Sequence, residues 1–366
     1  MYIYQEKNWP DFYWNQEKVL KSLSNVKLSQ GKLLGKMDTL GFNLREEANL
    51  NVLTQEITKS SEIEGEILDK EQVRSSIARR LGLDIGSDVP ISRNVEGVVK
   101  MMLDATQHYD KLLTEERLFA WNAALFPTGY SGMFKIEVGN FRDDKKGPMQ
   151  VVSGPIGKET VHFQAPNPTC IEAEISRFIE WFNDSNELDN ILKAAVAHLW
   201  FVTLHPFDDG NGRIARALSD MLLARAENIS QRFYSMSVQL TKERNAYYNM
   251  LERTQKGTLD ITDWILWFLD CLLRAIENTK ETLTAIFNKA LFWQKFSGQI
   301  LNNRQKKVIN RLLDGFEGNL TSSKWAKLCK CSQDTANRDI AELLEKNILF
   351  KIGAGRSTHY VLNMDD

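Results

Sequence analysis

The sequence predicts an all-α protein, interrupted by one β-hairpin and closed by a small module of helices and a second hairpin. Three observations lead there. Apolar residues recur three and four residues apart over most of the chain, as in Ile171, Ile175, Phe178, Ile179 and Phe182, so that one helical face is buried. Every proline lies at or before Pro206, and five of the eight fall between Pro127 and Pro168, together with six glycines from Gly129 to Gly157. Within that stretch, the β-branched runs Met149–Ser153 and Thr160–Phe163 flank Gly154-Pro155-Ile156-Gly157. Two strands alone are marginal in water, so this hairpin is expected to lean on the helical body.

Taken in order, the first 90 or so residues read as several helices with an aromatic opening (Tyr2, Tyr4, Trp9, Phe12, Tyr13, Trp14). After the Ile171–Phe182 stripe, Asp189 is placed to cap a helix bearing Leu192, Ala195, Val196, Leu199 and Val202. Trp200 and Phe201 make that helix apolar nearly all round, which suits the middle of a bundle. Ile214, Ala217, Leu218, Met221 and Leu222 carry the next helix, and Trp264–Ala275 is expected to be similarly buried. Near the C-terminus, Leu301–Asp314 and Lys324–Leu328 read as helices. Ser332 is a cap for a third through Lys346, and Ile348–Ile352 and His359–Leu362 are strand candidates. Helices followed by a small hairpin suggest a winged helix-turn-helix. Domains are expected at 1–95, 96–290 and 291–366.

Composition excludes several classes. With 46 basic and 48 acidic residues among 366, the chain as a whole is not built to coat nucleic acid or an anionic membrane. Nine Trp and eighteen Phe are too much apolar surface for a disordered chain. Cys170, Cys271, Cys329 and Cys331 show neither disulfide nor zinc spacing and read as reduced thiols. The opening residues lack the apolar core of a signal peptide, and no apolar stretch approaches the roughly 20 residues of a membrane span. A soluble, cytoplasmic protein with no membrane partner is the expectation.

Chemistry concentrates in His205-Pro206-Phe207-Asp208-Asp209-Gly210-Asn211-Gly212-Arg213-Ile214-Ala215-Arg216. A buried helix ends at Leu204, Pro206 breaks it, and a new helix begins within Gly210–Arg213. The new helix presents free N–H groups and the positive end of its dipole to an anion. Arg213 and Arg216 are placed to grip phosphate oxygens, Asp209 to hold magnesium on a polyphosphate, and His205 to act as a base near neutral pH. Each residue alone has a plainer reading: a cap, a tight loop, a core histidine. A metal site of His198, His205 and Asp209 is a further alternative.

The string resembles the Fic (filamentation induced by cAMP) motif, His-x-Phe-x-Asp/Glu-Gly-Asn-Gly-Arg-x-x-Arg, at every defined position, and the resemblance extends over roughly residues 55–275. It implies a helical Fic core that transfers AMP from ATP to a Ser, Thr or Tyr hydroxyl of a target protein. His205 would be the base and Asp209 the magnesium ligand. Gly210, Asn211 and Gly212 would stabilise the anionic transition state, and Arg213 and Arg216 would bind the β- and γ-phosphates. Relatives with Lys at the second Gly are kinases, and Gly212 argues against that chemistry. The hairpin becomes a flap that binds the target as an added strand, with Ser153 and Gly154 near the nucleotide. Tyr247, Tyr248 and Gln255 match positions that enclose adenine, although aromatic stripes at helical spacing also build cores.

Upstream, Ser60-Ser61-Glu62-Ile63-Glu64-Gly65 reads by itself as a polar helix face. Beside a Fic core it resembles the inhibitory pattern Ser/Thr-x-x-x-Glu-Gly/Asn, with Ser60, Glu64 and Gly65 as the defined positions. The resemblance implies that Glu64 pairs with Arg216 and blocks the γ-phosphate clamp. The same glutamate positions water for AMP removal in some members, so the direction of reaction stays open. Ser332–Ile340 resembles a recognition helix, but its module is only slightly basic, and such modules also serve in protein docking and homodimerisation. A DNA-binding regulator whose core senses nucleotide is therefore the competing reading.

Overall fold

The structure is a computed structural model and describes residues 1–84, 89–145, 147–154, 158, 160–184 and 188–364. Packing divides the chain into two compact units, residues 1–38 with 46–279 and residues 39–45 with 280–366. The protein is mostly helical, with short hairpins only.

The first unit holds α1 (Gln16–Asp38), α2 (Phe42–Ile63, from Glu46 onward), α3 (Lys70–Leu81), α4 (Arg93–Gln107) and α5 (Glu115–Leu125). Two hairpins follow. The first is β1 (Tyr130–Ser131) with β2 (Phe134–Lys135), which the sequence reading did not anticipate; the second is β3 (Gln150–Ser153) with β4 (Thr160–Gln164). Then come α6 (Ile171–Asn183), α7 (Asn190–Leu204), α8 (Asn211–Glu227), α9 (Met236–Lys242), α10 (Arg244–Gln255) and α11 (Thr262–Lys295), whose residues up to Thr279 belong here.

The centre is α7, which is apolar on every side and buried on nearly every side, and which packs most extensively on α8. Asp189 caps it, accepting from the Ile191 N–H at 2.9 Å. Trp264 on α11 donates its indole N–H to the Ala195 carbonyl at 2.7 Å, tying the late helix to this centre.

The opening fifteen residues are not α-helical. They form one 3-10 turn (Ile3–Gln5) and lay aromatic rings on the body. Trp9 and Phe12 meet Trp200 edge-on at 6.2 and 5.9 Å, and Tyr2 and Tyr4 do the same to Phe163 at 5.1 and 6.1 Å. Phe163 belongs to β4, so the opening segment packs against the long hairpin, which also meets α10 through His162 and Glu252. Its strands pair antiparallel from Gln150↔Gln164 to Ser153↔Thr160, with a break in register between Val151 and Val152. The expected Gly-Pro turn at 155–157 lies outside the described residues.

Packing does not break near residue 95. Gln30 on α1 donates to Glu227 of α8 at 2.6 Å, and Glu56 on α2 accepts from the Ser235 hydroxyl at 2.7 Å and the Ser237 N–H at 3.0 Å. Arg232, which is buried, pairs with Asp220 at 3.2 Å and Glu227 at 2.9 Å. Burial, then the nearby Glu56 carboxylate, push Asp220 up to about 8. Charges withdrawn from water must be compensated locally, so the helices before residue 95 and the core after it complete one polar network.

The second unit includes α12 (Asn303–Leu313), α13 (Ser322–Cys329), α14 (Gln333–Glu345), β5 (Leu349–Ile352) and β6 (His359–Leu362). Asn302, Thr321 and Ser332 cap the three helices, and Trp325, Ile309, Ile340, Leu343 and Ile348 form a core of their own. The strands pair antiparallel, and Leu320 bridges to Tyr360. This is the helix–helix–helix–hairpin order expected of a winged helix. All four cysteines are free, and among the described residues no helix is long and apolar enough to cross a membrane.

Replacing Arg232 with Met strands Glu227 without its cation in the interior. The expected loss is ~3–5 kcal/mol of unfolding free energy, read from the urea midpoint; a shift within experimental error would show that the network does not hold the early helices to the core.

Candidate active site

His205 terminates α7 in the left-handed conformation, with φ 48°, and its N–H closes on the Phe201 carbonyl at 3.0 Å. Its ring Nδ1 lies 3.3 Å from the Val202 carbonyl. A carbonyl can only accept, so Nδ1 carries the proton and Nε2 keeps its lone pair. Burial lowers the imidazole pKa and the nearby Arg142 adds to the effect; the Val202 bond, Glu64 and Asp209 oppose it only in part. The ring is therefore neutral at pH 7, as a base must be.

The loop after His205 is braced from both sides. Asn211, buried at the start of α8, donates to the Phe207 carbonyl at 2.8 Å and accepts the Phe207 N–H at 3.0 Å. Phe207 itself is enclosed by Phe119, Phe141 and Phe201. Arg142 is buried against the other side, donating from Nε to the His205 carbonyl at 2.7 Å and from its guanidinium to Asp144 and the Pro166 carbonyl, while its own N–H meets the Pro206 carbonyl at 3.0 Å. Asn122 of α5 holds the Asp209 carbonyl at 3.1 Å. The Asp209 carboxylate, half-buried, accepts from the Gly210 N–H and the Ser131 hydroxyl of β1.

Gly210 starts α8 with φ 88°, and the first-turn N–H groups of Asn211, Gly212 and Arg213 precede the internal hydrogen bonds of that helix. Arg213 and Arg216 are both buried. Arg216 donates from Nε to the Ser60 hydroxyl and from its terminal nitrogen to the Ser60 carbonyl, both at 2.8 Å, and pairs with Glu64 Oε1 at 2.8 Å. Burial opposes its charge, but Glu64 and the Tyr247 hydroxyl hold its pKa above the ordinary arginine value. A Cβ at position 212 would stand 2.1 Å from Glu64 Oε1, so a side chain there would push the Glu64 carboxylate aside. Arg213 lies over the Phe126 ring and pairs with Glu66 Oε2 at 2.6 Å. The Arg213 Nε and one terminal nitrogen of Arg216 have no hydrogen-bond partner.

The structure thus brings His205, Asp209, Gly210, Asn211, Gly212, Arg213 and Arg216 together with Ser60, Glu64 and Gly65. The expected adenine wall is different. Tyr247 and Gln255 are enclosed by protein, Tyr247 bonded to His198 at 2.7 Å and Gln255 to Thr203 at 3.3 Å. Tyr248 alone keeps an accessible ring, its hydroxyl 3.4 Å from the Ile63 carbonyl at the end of α2. His198 is a core residue between Ser219 and Tyr247, its pKa lowered by burial to about 3. Among the described residues no group of three His, Cys, Asp or Glu side chains is placed to hold a metal ion, so the His198–His205–Asp209 alternative has no support.

On the flap, Ser153 lies 2.6 Å from His162 Nε2, and His162 Nδ1 lies 2.7 Å from Glu252 on α10. Gly154 follows with φ 103°. Sequence reasoning missed this relay, and it also missed Arg142, Asn122, Ser131 and Glu66. Most of these reach the site across long sequence separations, which spacing does not reveal; only Glu66, the residue after Gly65, adjoined a motif already singled out.

Residues 112–223 match the Fic/DOC family, so the chain carries a Fic/DOC-family region. Residues 2–83 match a domain of unknown function (DUF4172), and residues 313–363 match a family described as transcriptional regulator DIP2311-like, C-terminal domain. Among relatives, the chain is 27% identical over 228 residues to a protein adenylyltransferase Fic of Drosophila mojavensis, covering 61% of this chain and 40% of that protein. It is 33% identical over 114 residues to the protein of the same name in Drosophila grimshawi, covering 31% of this chain and 22% of that one. The match therefore spans less than half the length of these relatives. A Fic family protein from Desulfovibrio desulfuricans G20 shares the fold at a TM-score of 0.58 and 18% identity, over 97% of this chain and 98% of that one.

Arg142→Met removes the side-chain bond to the His205 carbonyl and the two that anchor the guanidinium, to Asp144 and the Pro166 carbonyl, leaving both carbonyls without that donor. A loss of about 3 kcal/mol is expected, with faster proteolytic cleavage at 205–210 than elsewhere in the chain; an unchanged melting temperature and cleavage pattern would refute this bracing role.

Proposed function

We propose that the chain transfers AMP from ATP to a hydroxyl of a target protein, and that Glu64 holds this activity in check. The observation that carries the reading is one loop in which a neutral histidine with an available Nε2 lone pair sits beside a helix N-terminus and two buried arginines. The names of the curated relatives support the class of reaction. Nε2 of His205 takes the proton of the target hydroxyl as its oxygen attacks the α-phosphorus; the bond to the β-phosphate oxygen breaks and pyrophosphate leaves. The first-turn N–H groups of α8 receive the negative charge that develops on the α-phosphoryl oxygens, while Arg213 and Arg216 orient the departing phosphates.

The donor set around Asp209 suits magnesium that arrives on the nucleotide. The Asp209 carboxylate, which accepts from the Ser131 hydroxyl, would hold it, and phosphate and water oxygens would complete the shell. Bound there, the ion would neutralise phosphate charge. In the resting state, Glu64 competes for Arg216 from within the same chain, so it acts at high effective concentration. The second unit carries a separate reading: its match to a regulator's C-terminal domain supports DNA binding through α14, with Arg338 exposed on that helix.

The test incubates wild type, Glu64→Gly and Glu64→Gly/His205→Ala with magnesium and ATP labelled at the α- or the γ-phosphate, following label on protein. Label from the α-position alone is expected. It should rise about tenfold or more with Glu64→Gly and fall by ~10²–10⁴ when His205 is also replaced. Label from the γ-position would mean a kinase, and no label in any variant would favour AMP removal or a regulator.

Because burial lowers the His205 pKa, its base form persists below the ordinary imidazole value. The acid limb of the Glu64→Gly rate profile should therefore fall below about pH 6.5, and a limb at or above that value would contradict the assignment.

A further inference from the structure

We infer that Glu66 is a second lock, specific to the β-phosphate, so that the resting site discriminates against nucleotides by the length of their phosphate chain. The inference rests on the adenylyltransferase reading above. After α2 the chain turns at Gly65, with φ +85°, a conformation that side-chain-bearing residues seldom adopt. The turn is closed by Gly65 N–H to the Glu62 carbonyl and Glu66 N–H to the Ser61 carbonyl, both at 3.0 Å. Glu64 and Glu66, on either side of that glycine, are thereby delivered to two arginines three residues apart on α8: Glu64 to Arg216 at 2.8 Å and Glu66 to Arg213 at 2.6 Å.

The two locks are not equivalent. Arg216 keeps both Ser60 contacts when Glu64 leaves. Arg213 pairs with no carboxylate among the described residues other than Glu66, its Nε has no partner, and its side chain is only 4% exposed. A buried guanidinium with one anion and an orphaned N–H is built for an anion. A phosphate oxygen reaching Arg213 must displace Glu66, whose one-third-exposed carboxylate can turn to solvent, because two like charges on one buried guanidinium repel. A nucleoside monophosphate needs neither arginine and meets only the N–H groups at the start of α8. A diphosphate meets Glu66 first, and a triphosphate meets both carboxylates. Removing Glu64 alone therefore leaves the second lock closed.

Calorimetric titration of AMP, ADP and ATP with magnesium into wild type, Glu66→Gln, Glu64→Gln and the double variant tests this. Glutamine keeps the size of the side chain and removes only its charge, and melting curves check that each variant is folded. Glu66→Gln should raise ADP affinity about tenfold while leaving AMP within about twofold. In the Glu64→Gln background it should raise ATP affinity about tenfold again. ADP affinity indifferent to Glu66, or AMP affinity rising equally, would overturn the second lock and leave the adenylyltransferase reading standing. If none of the three nucleotides binds any variant, both fall together.

Discussion

The buried guanidinium of Arg216 is the interaction on which the rest of the first unit depends. A cation this far from water is tolerated only if its hydrogen bonds are met and its charge is answered. Here α2 meets them: Ser60 with a hydroxyl and a carbonyl, Glu64 with a carboxylate. With these contacts α2 ends beside the start of α8, Gly212 leaves room for the Glu64 carboxylate, and Glu66, just after the turn at Gly65, reaches Arg213. The same group that a phosphate would seek is thus already satisfied by the protein.

A second constraint keeps the motif loop in place. His205 sits at a helix end in a conformation that few residues adopt, followed by proline and a run of glycines, so local propensity alone would leave it loose. Its geometry is set by neighbours. Asn211 closes the loop on itself, Arg142 binds its carbonyls from the flap side, and Phe207 fills an aromatic pocket beneath. The polarity of these braces also tunes chemistry: burial and the Arg142 charge lower the imidazole pKa, while the Val202 carbonyl selects the tautomer that leaves Nε2 available.

Much of this was legible in advance, and the legible parts share a cause. Helical period, caps and breakers are local, so α6, α7, α8 and the three helices of the second unit appear close to where their stripes, Asp189 and Ser332 place them. The loop from His205 to Arg216 was legible because it is contiguous. The residues expected at the adenine illustrate the opposite case. Tyr247 and Gln255 lie at spacings that suit either a ligand or a core, and only their contacts with His198 and Thr203 show that they are enclosed. The boundary near residue 95 was likewise drawn from a change in pattern, whereas the network of Gln30, Glu56, Asp220, Glu227 and Arg232 runs straight across it.

By itself the sequence determined the helical class, the membership of its core residues and the two contiguous segments His205–Arg216 and Ser60–Gly65, because each is written in short-range order. Tertiary structure decided what those residues do to one another. It put Glu66 on Arg213, Ser131 on Asp209, Arg142 on the His205 carbonyl and His162 between Ser153 and Glu252. Pairings of this kind join side chains up to about 150 residues apart. They depend on which buried charge needs an answer once the helices have packed, and no local spacing encodes that.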